Sequence, residues 1–211
     1  MRRFEVISFD AEGTLVTPDF SHAIWHEAIP ALYAQKNGID IAQARMDIVE
    51  KYDQIGDQRL EWYDIEYWFR YLDLGSSEAA IRSCLNRIAC YPEVTEVLSS
   101  LTSEYTLIVA SGTPLELLHF LLQDIGTHFA HVFSSTSHFK QLKSPDFYLN
   151  ICEELGIKPS QVVHVGDNWQ FDFLNSQQAG IYAFYLDRSG RNHRESLGDL
   201  TQLKHFLLPS K

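Results

Sequence analysis

The chain has 211 residues, of which 45% are hydrophobic and 21% are charged, so it is long enough for one large globular domain or a core domain with an insertion. Its net charge of −11, with no cluster of lysine and arginine, argues against binding to nucleic acid, whose phosphates such a surface repels. No apolar run reaches the roughly 18 residues of a membrane-spanning helix, which indicates a cytoplasmic protein that does not bind membranes.

The first half of the chain has one short strand followed by helical patterns. A buried strand is predicted at Phe4–Phe9, and the next strand follows only at Thr106. Four helical patterns fill the interval, namely His22–Lys36, Ile41–Asp53, Gln58–Leu72 and Ser77–Ile88. They are rich in aromatic residues at helical spacing, which is typical of a packed helical unit. We therefore expect a helical insertion, residues 17–90, in a core made of residues 1–16 and 91–211.

Beyond residue 91, short apolar strands alternate with amphipathic helices. The predicted strands are Thr106–Ala110, His131–Ser134, Val162–Val165 and Ile181–Leu186. Their nearly continuous hydrophobicity is typical of strands that are covered on both faces. Helices are expected after each strand, with Thr113, Ser144 and Asp172 as N-caps and Gly156 as a C-terminal stop. The alternation predicts an α/β fold with a doubly wound, Rossmann-like parallel sheet.

Acidic residues follow the first strand, at the edge where ligands of open parallel sheets bind. Asp10 and Glu12 leave the strand two positions apart and run into Gly13, which permits a sharp turn of the backbone. One carboxylate could attack as a nucleophile while the other serves as a general acid or base. The alternative is a turn at the strand end with two solvated acids.

Two further segments could hold an anion at the same edge. Ser111 and the amide of Gly112 lie between a strand and a helix, a natural anion cradle, although helix capping by Thr113 would also explain this pattern. Lys143 precedes the next helix, where its ammonium would neutralise an anion. The alternative for Lys143 is a solvated surface position, and Lys140 is a rival for the role.

A second acidic pair follows the strand at Val162–Val165. Asp167 and Asp172 are five positions apart at the start of a predicted helix. Carboxylates gathered there suit Mg²⁺, which prefers oxygen ligands. The alternative is a solvated junction in which Asp172 only caps the helix.

Taken in order, these segments resemble the four motifs of the haloacid dehalogenase (HAD) superfamily of hydrolases. The matching residues are Asp10-Ala11-Glu12-Gly13-Thr14, Ser111, Lys143 and Gly166-Asp167 followed by Asp172. The resemblance spans the whole chain, because the helical segment lies where that family carries an α-helical cap, after motif one. It implies an α/β core domain with the active site and a helical cap domain.

The resemblance implies a Mg²⁺-dependent phosphatase that acts on a small-molecule phosphate ester. Asp10 would attack phosphorus and form an aspartyl-phosphate, with Mg²⁺ bound by Asp10, the backbone carbonyl of Glu12, and Asp167. The phosphoryl oxygens would be held by Ser111, the amide of Gly112 and Lys143. Asp172 would orient Lys143 or a metal-bound water from a second layer.

One position departs from the family pattern. Phosphatases of this family have an aspartate where this chain has Glu12, and the extra methylene moves the carboxyl group by about 1.5 Å. A displacement of about 1 Å can cost on the order of 10²-fold in rate. Acidic residues at Glu12 and Asp167 favour the metal-dependent branch. A 2-haloacid dehalogenase-like hydrolase and a weakly active relative that serves as a binding module are the alternative expectations.

The sequence leaves open the roles of several other residues. His22 and His26 share one helix face, as zinc ligands do, but no third ligand is near in the sequence, and packing within the helical unit is the expected role. Arg59 could reach a substrate anion or lie on the surface. The three cysteines follow no disulfide or metal spacing and are expected to be reduced. The composition allows a monomer or a homodimer.

Overall fold

A computed structural model of the chain describes residues 4–190 and 196–207. The chain divides into two compact units, one made of Met1–Thr17 with Cys90–Lys211 and the other of Pro18–Ala89. Nowhere in the described ranges is there a helix with both the length and the apolar character needed to cross a membrane. All three cysteines are free thiols.

The first unit is built on a parallel sheet in which the described residues form six strands in the order β3-β2-β1-β4-β5-β6. The strands are β1 (Val6–Phe9), β2 (Thr106–Ser111), β3 (His131–Ser134), β4 (Val162–Gly166), β5 (Tyr182–Leu186) and β6 (Ser196–Leu197). The predicted α/β fold with a Rossmann-like parallel sheet is confirmed. The sixth strand was not predicted, because two residues are too few for a periodic pattern.

Helices cover the sheet and form the whole of the second unit. The described α-helices of the second unit are α1 (Asp19–Ala23), α2 (Ile29–Asn37), α3 (Ile41–Ile55), α4 (Ile65–Tyr71) and α5 (Glu78–Cys84). Those of the first unit are α6 (Val94–Thr102), α7 (Leu115–Leu121), α8 (Ser135–His138), α9 (Pro145–Leu155), α10 (Asn175–Gln178) and α11 (Leu203–Leu207). A π-helical segment, Trp169–Leu174, precedes α10.

The sheet is buried because its central strands are apolar on both faces. All four residues of β1 are buried, and β1 pairs with β2 on one side and β4 on the other. Phe147 and Ile151 of α9 pack on one face in a cluster with Val6 and Ile108. Burial of such side chains contributes about 1.5–3 kcal/mol each, which holds the carboxyl ends of the strands in a fixed arrangement.

Two of the three predicted helix caps of the first unit are wrong. Ser144 caps α9 as predicted, since its side chain accepts from the amide of Phe147. Thr113 does not cap α7; the cap position is Pro114, and the hydroxyl of Ser137 accepts from the first amide of the helix instead.

Asp172 does not cap a helix either. Asn168 caps the π-helical segment, because its side chain accepts from the amides of Gln170 and Phe171. Asp172 lies inside that segment with its side chain buried. In both cases a polar side chain nearby in the fold takes the capping role, which leaves Thr113 and Asp172 for other contacts.

The helical unit differs from its predicted pattern in two places. A π-helical segment, Ile24–Ala28, joins α1 to α2 where one helix was predicted. The predicted helix Gln58–Leu72 is shorter and forms only from Ile65, because Asp64 caps α4 by accepting from the amide of Tyr67. Its buried aromatic residues make the core of this unit, as the spacing predicted.

Candidate active site

Three carboxylates meet at the carboxyl ends of β1 and β4. Asp10 directly follows β1, and its amide donates to the carbonyl of Val165 at 2.9 Å, which extends the pairing of the two strands by one residue. Asp167 follows β4, and Asp172 lies in the next turn. One oxygen from each of Asp10, Asp167 and Asp172 lies within 4.8 Å of the others.

Lys143 inserts its ammonium between two of these acids. Its Nζ donates to Oδ1 of Asp10 at 2.8 Å and to Oδ1 of Asp172, and the lysine side chain is only 6% exposed. The side-chain amide of Asn175 donates to the carbonyl of Lys143 at 2.7 Å and fixes the backbone there. Lys140 is exposed, so of the two lysines the structure places Lys143 in the site.

The site holds more negative than positive charge when all three acids are ionised. Burial raises the pKa of Asp10 by more than its ion pair with Lys143 lowers it, and Asp172 adds to the rise. Loss of solvation raises the pKa of Asp167 as well, with the charges of Asp10 and Asp172 contributing, although the Asp167 side chain still reaches solvent. A divalent cation would balance this charge.

Asp172 and Lys143 stay charged for opposite reasons. Burial opposes ionisation of Asp172, but the neighbouring Lys143 and a hydrogen bond from His164 hold the pKa of Asp172 well below its usual range. Burial would lower the pKa of Lys143, but the charges of Asp10 and Asp172 outweigh it and raise the pKa well above its usual range. Lys143 therefore remains an ammonium beside Asp10 at any physiological pH.

Two glycines allow the carboxylates to approach the backbone. Gly13 has φ = 73°, and a Cβ there would collide with the carboxylate of Asp167. A Cβ on Gly166 would collide with the carboxylate of Asp172 in the same way. Neither position has room for a side chain, so the glycines of motifs one and four are required by close packing of the site.

We expect Gly166→Ala to lower the free energy of unfolding by about 1–3 kcal/mol, because the added methyl group must displace the buried Asp172. Gly112→Ala is the matched control, since its Cβ would meet Lys143 Cδ at an ordinary 3.6 Å, and its stability should stay within about 1 kcal/mol of wild type. Urea denaturation of both variants measures the difference. Equal losses of stability would contradict the collision at Gly166.

The loop after β2 faces Glu12. The hydroxyl of Thr113 donates to Oε2 of Glu12 at 2.9 Å, and the amide of Thr113 donates to the hydroxyl of Ser111 at 3.3 Å. Ser111 is buried, and Gly112 is partly exposed. Thr113, predicted as a helix cap, thus holds the longer acid in place across the two loops.

Hydroxyl groups at the end of β3 and in α8 support this loop. Ser134 donates to the carbonyl of Thr113 at 2.9 Å, and Thr136 donates to the carbonyl of Gly112 at 2.9 Å. Sequence reasoning missed them, although the run Ser134-Ser135-Thr136-Ser137, which begins at the last residue of a predicted strand, was a visible signal. With both carbonyls bonded, the peptide groups around Gly112 have a fixed orientation.

A model of the haloacid dehalogenase-like hydrolase family matches residues 4–180 of the chain. The chain belongs to this family. It is a HAD-like hydrolase, and the resemblance seen in its motifs is confirmed.

The relatives of this HAD-like hydrolase are distant in sequence. Haloacid dehalogenase-like hydrolase domain-containing protein 3 of Danio rerio is 31% identical over 108 residues, which cover 47% of this chain and 45% of that protein. The chain therefore matches under half the length of that relative. A phosphoglycolate phosphatase of Pasteurella multocida is 27% identical over 202 residues, which cover 85% of this chain and 84% of that protein.

A solved structure shows the same fold over nearly the whole chain. The crystal structure of a HAD phosphatase from Thermococcus onnurineus superposes with a TM-score of 0.85 at 22% identity, and the match covers 97% of this chain and 98% of that one. At this identity the likeness shows the fold alone.

His164 is a buried site residue of this HAD-like hydrolase that sequence reasoning missed. It lies opposite Ser8 in the register of β1 and β4, and its Nδ1 is 2.9 Å from the Ser8 hydroxyl. Its Nε2 is 3.2 Å from Oδ1 of Asp172. Burial lowers the pKa of His164, so the ring is neutral. Since ionised Asp172 can only accept, Nε2 carries the proton and Ser8 donates to Nδ1. Ser8 and His164 are polar residues inside otherwise apolar strands, and this was the signal in the sequence that could have identified the pair.

Polar residues of the helical unit have partners within that unit. Arg59 pairs with Glu61 at 2.5 Å, as expected for a surface arginine. The rings of His22 and His26 are 4.9 Å apart, and His22 lies 3.8 Å from Glu27. Within the described ranges, groups of three side chains that could hold a metal include the aspartate cluster but not this histidine pair.

Proposed function

We propose that this HAD-like hydrolase is a Mg²⁺-dependent phosphatase that hydrolyses a small-molecule phosphate ester through an aspartyl-phosphate on Asp10. The observation that carries the proposal is the buried ammonium of Lys143, 2.8 Å from Asp10, inside a cluster of three carboxylates. Phosphoryl transfer depends on positioning and charge neutralisation, and this arrangement supplies both. The distant phosphoglycolate phosphatase of Pasteurella multocida supports the same class of substrate.

The donor set fits a magnesium ion. Asp10 and Asp167 offer carboxylate oxygens, and Mg²⁺ prefers oxygen ligands. The excess of negative charge favours a divalent cation, and Gly13 leaves the Asp167 carboxylate room against the loop. We propose that Asp10, Asp167 and the carbonyl of Glu12 would hold the ion. Bound there, Mg²⁺ would neutralise charge on the transferring phosphoryl group.

In the first step, Asp10 attacks phosphorus, and the ester oxygen leaves with a proton from Glu12. Lys143, the hydroxyl of Ser111 and the amide of Gly112 hold the phosphoryl oxygens, which carry the negative charge. Asp172 keeps Lys143 charged and aimed at Asp10 by its own ion pair. The products of the step are an alcohol and a phosphoryl group bonded to an Asp10 oxygen.

In the second step, Glu12 takes a proton from a water molecule as the water oxygen attacks phosphorus. The bond between phosphorus and Asp10 breaks, which regenerates the carboxylate and releases inorganic phosphate. Glu12 needs a defined position for both steps, and Thr113 provides one by donating to its Oε2. The longer side chain at position 12 is thereby compatible with turnover.

We propose that the helical unit serves as the cap of this site, with a domain boundary as the motif order implies (residues 17–90 inserted in 1–16 and 91–211). A cap excludes water while the aspartyl-phosphate exists and favours a small molecule over a protein as substrate. We also propose that the protein is cytoplasmic and has no nucleic acid or membrane partner. Its assembly would be a monomer or a homodimer.

Hydrolysis of p-nitrophenyl phosphate with Mg²⁺ and with EDTA tests the function. We expect turnover with Mg²⁺, its loss in EDTA, and a loss on the order of 10²-fold or more in Asp167→Asn, because that change removes a ligand charge. Glu12→Asp should not raise turnover above wild type, since Thr113 is placed for the longer acid.

The alternatives predict other outcomes. Metal-independent chloride release from 2-chloropropionate would support a dehalogenase. No turnover on a broad panel of phosphate esters, or a strong rise in rate for Glu12→Asp, would support the binding-module alternative and contradict the proposal.

A further inference from the structure

The loop over residues 11–16, which follows Asp10, leaves several buried carbonyl groups to be satisfied from outside. Two amides of the loop donate back to the carbonyl of Ala11, at 2.8 and 3.0 Å. Gly13, Thr14 and Leu15, which carry three further carbonyls of the loop, are all buried. A buried carbonyl without a donor costs free energy comparable to a lost hydrogen bond, so these groups need partners.

Arg188, which follows β5, supplies two of the missing donors. Its Nε donates to the carbonyl of Gly13 at 3.1 Å, and its Nη2 donates to the carbonyl of Thr14 at 2.7 Å. The amide of Tyr91 donates to the carbonyl of Leu15 at 3.1 Å. Three consecutive carbonyls of the loop are therefore bonded to residues that lie far away in the sequence.

The guanidinium of Arg188 is itself held in place. It lies over the ring of Tyr91, with 3.6 Å between Cζ and the ring centroid, and its Nη2 is 2.7 Å from Oε1 of Glu93. The side chains of Arg188 and Glu93 are each only 16% exposed. A planar guanidinium that is stacked and ion-paired presents its donors in one orientation, which a lysine ammonium cannot reproduce.

We propose that Arg188 is a positioning residue for Glu12. The role rests on the proposed phosphatase function, in which Glu12 protonates the leaving oxygen and later deprotonates the attacking water. Glu12 directly precedes Gly13, so a loop held at Gly13 and Thr14 fixes the backbone from which the carboxyl group projects. Thr113 orients the carboxyl end of that side chain, and Arg188 holds the backbone from which the side chain projects.

Leaving-group dependence distinguishes this role from general stabilisation. p-Nitrophenolate leaves with little help from an acid, whereas phenolate needs a proton from Glu12. In Arg188→Met we expect kcat for phenyl phosphate to fall on the order of 10²-fold. With p-nitrophenyl phosphate we expect kcat and KM to fall together and a burst of roughly one equivalent of product per enzyme, because hydrolysis of the aspartyl-phosphate becomes slow.

Controls separate the positioning role from the fold. Arg188→Lys should recover only part of the lost activity, and added guanidinium ion should raise the turnover of Arg188→Ala. Arg82→Met, which removes an exposed arginine paired with Glu78, should behave as wild type. Equal losses on both esters in Arg188→Met with no burst, or kinetics identical to wild type, would overturn the proposal.

Hydrogen exchange tests whether Arg188 holds the loop over residues 11–16, even if the enzyme itself shows no phosphatase activity. In Arg188→Met the amides of Leu15 and Val16, which donate within the loop, should exchange roughly tenfold faster than in wild type, with no change in Arg82→Met. Inactive wild-type protein with this exchange difference would overturn only the phosphatase function. Unchanged exchange would contradict the proposal that Arg188 holds this loop, whatever the activity.

Discussion

Asp10→Asn should abolish phosphatase turnover, with a loss of at least about 10⁴-fold, because a neutral amide cannot attack phosphorus. The substitution also removes the ion pair with Lys143, 2.8 Å away, and one charge of the three-carboxylate cluster. Since Asp10 itself is buried and the cluster carries excess negative charge, we expect the folded protein to be as stable as wild type or more so. Steady-state rates and urea denaturation measure the two effects.

The combination of lost activity and retained stability makes this test specific for the nucleophile. Asp124→Asn changes an exposed aspartate in the same unit and should keep wild-type activity. Turnover of Asp10→Asn above about one hundredth of wild type would contradict covalent catalysis at this position. Loss of the folded state would show instead that the Asp10 charge is needed for stability.

Lys143→Met should lower both stability and activity. Removing the ammonium leaves the buried carboxylates of Asp10 and Asp172 without their shared partner, which costs about 3–5 kcal/mol at pH 7. Turnover should fall on the order of 10²–10³-fold, because the phosphoryl oxygens lose a charged donor. Urea denaturation and assays under folding conditions measure the two losses separately.

A double variant separates the structural effect of Lys143 from its chemical one. Lys143→Met combined with Asp172→Asn removes one of the two buried carboxylates that lose their partner. Its free energy of unfolding should be at least about 1 kcal/mol higher than that of Lys143→Met alone. It should regain no activity, because the phosphoryl-binding ammonium is still absent. Additive losses of stability in the double variant would contradict the ion pair, and restored turnover would contradict the chemical role of Lys143.

Local patterns in the sequence predicted the fold well where the signal was periodic. The strands that begin at Thr106 and Val162 are mostly apolar because both faces of the sheet are covered, and this is visible in the sequence itself. The helix Gln58–Leu72 was predicted too long, because aromatic spacing does not show that Asp64 caps the chain at a later point. Short elements such as Ser196–Leu197 carry no pattern at all.

Motif order and hydrophobic periodicity are properties of short segments, so they were enough to predict the family and the acidic residues at the strand ends. The contacts between distant side chains, in contrast, depend on the folded arrangement. Lys143 reaches Asp10 across 133 positions and Arg188 reaches Gly13 across 175, and no local pattern reports such contacts. The physical reason is that these bonds form only once the parallel sheet aligns its strand ends, where buried polar groups must find partners wherever the fold supplies them.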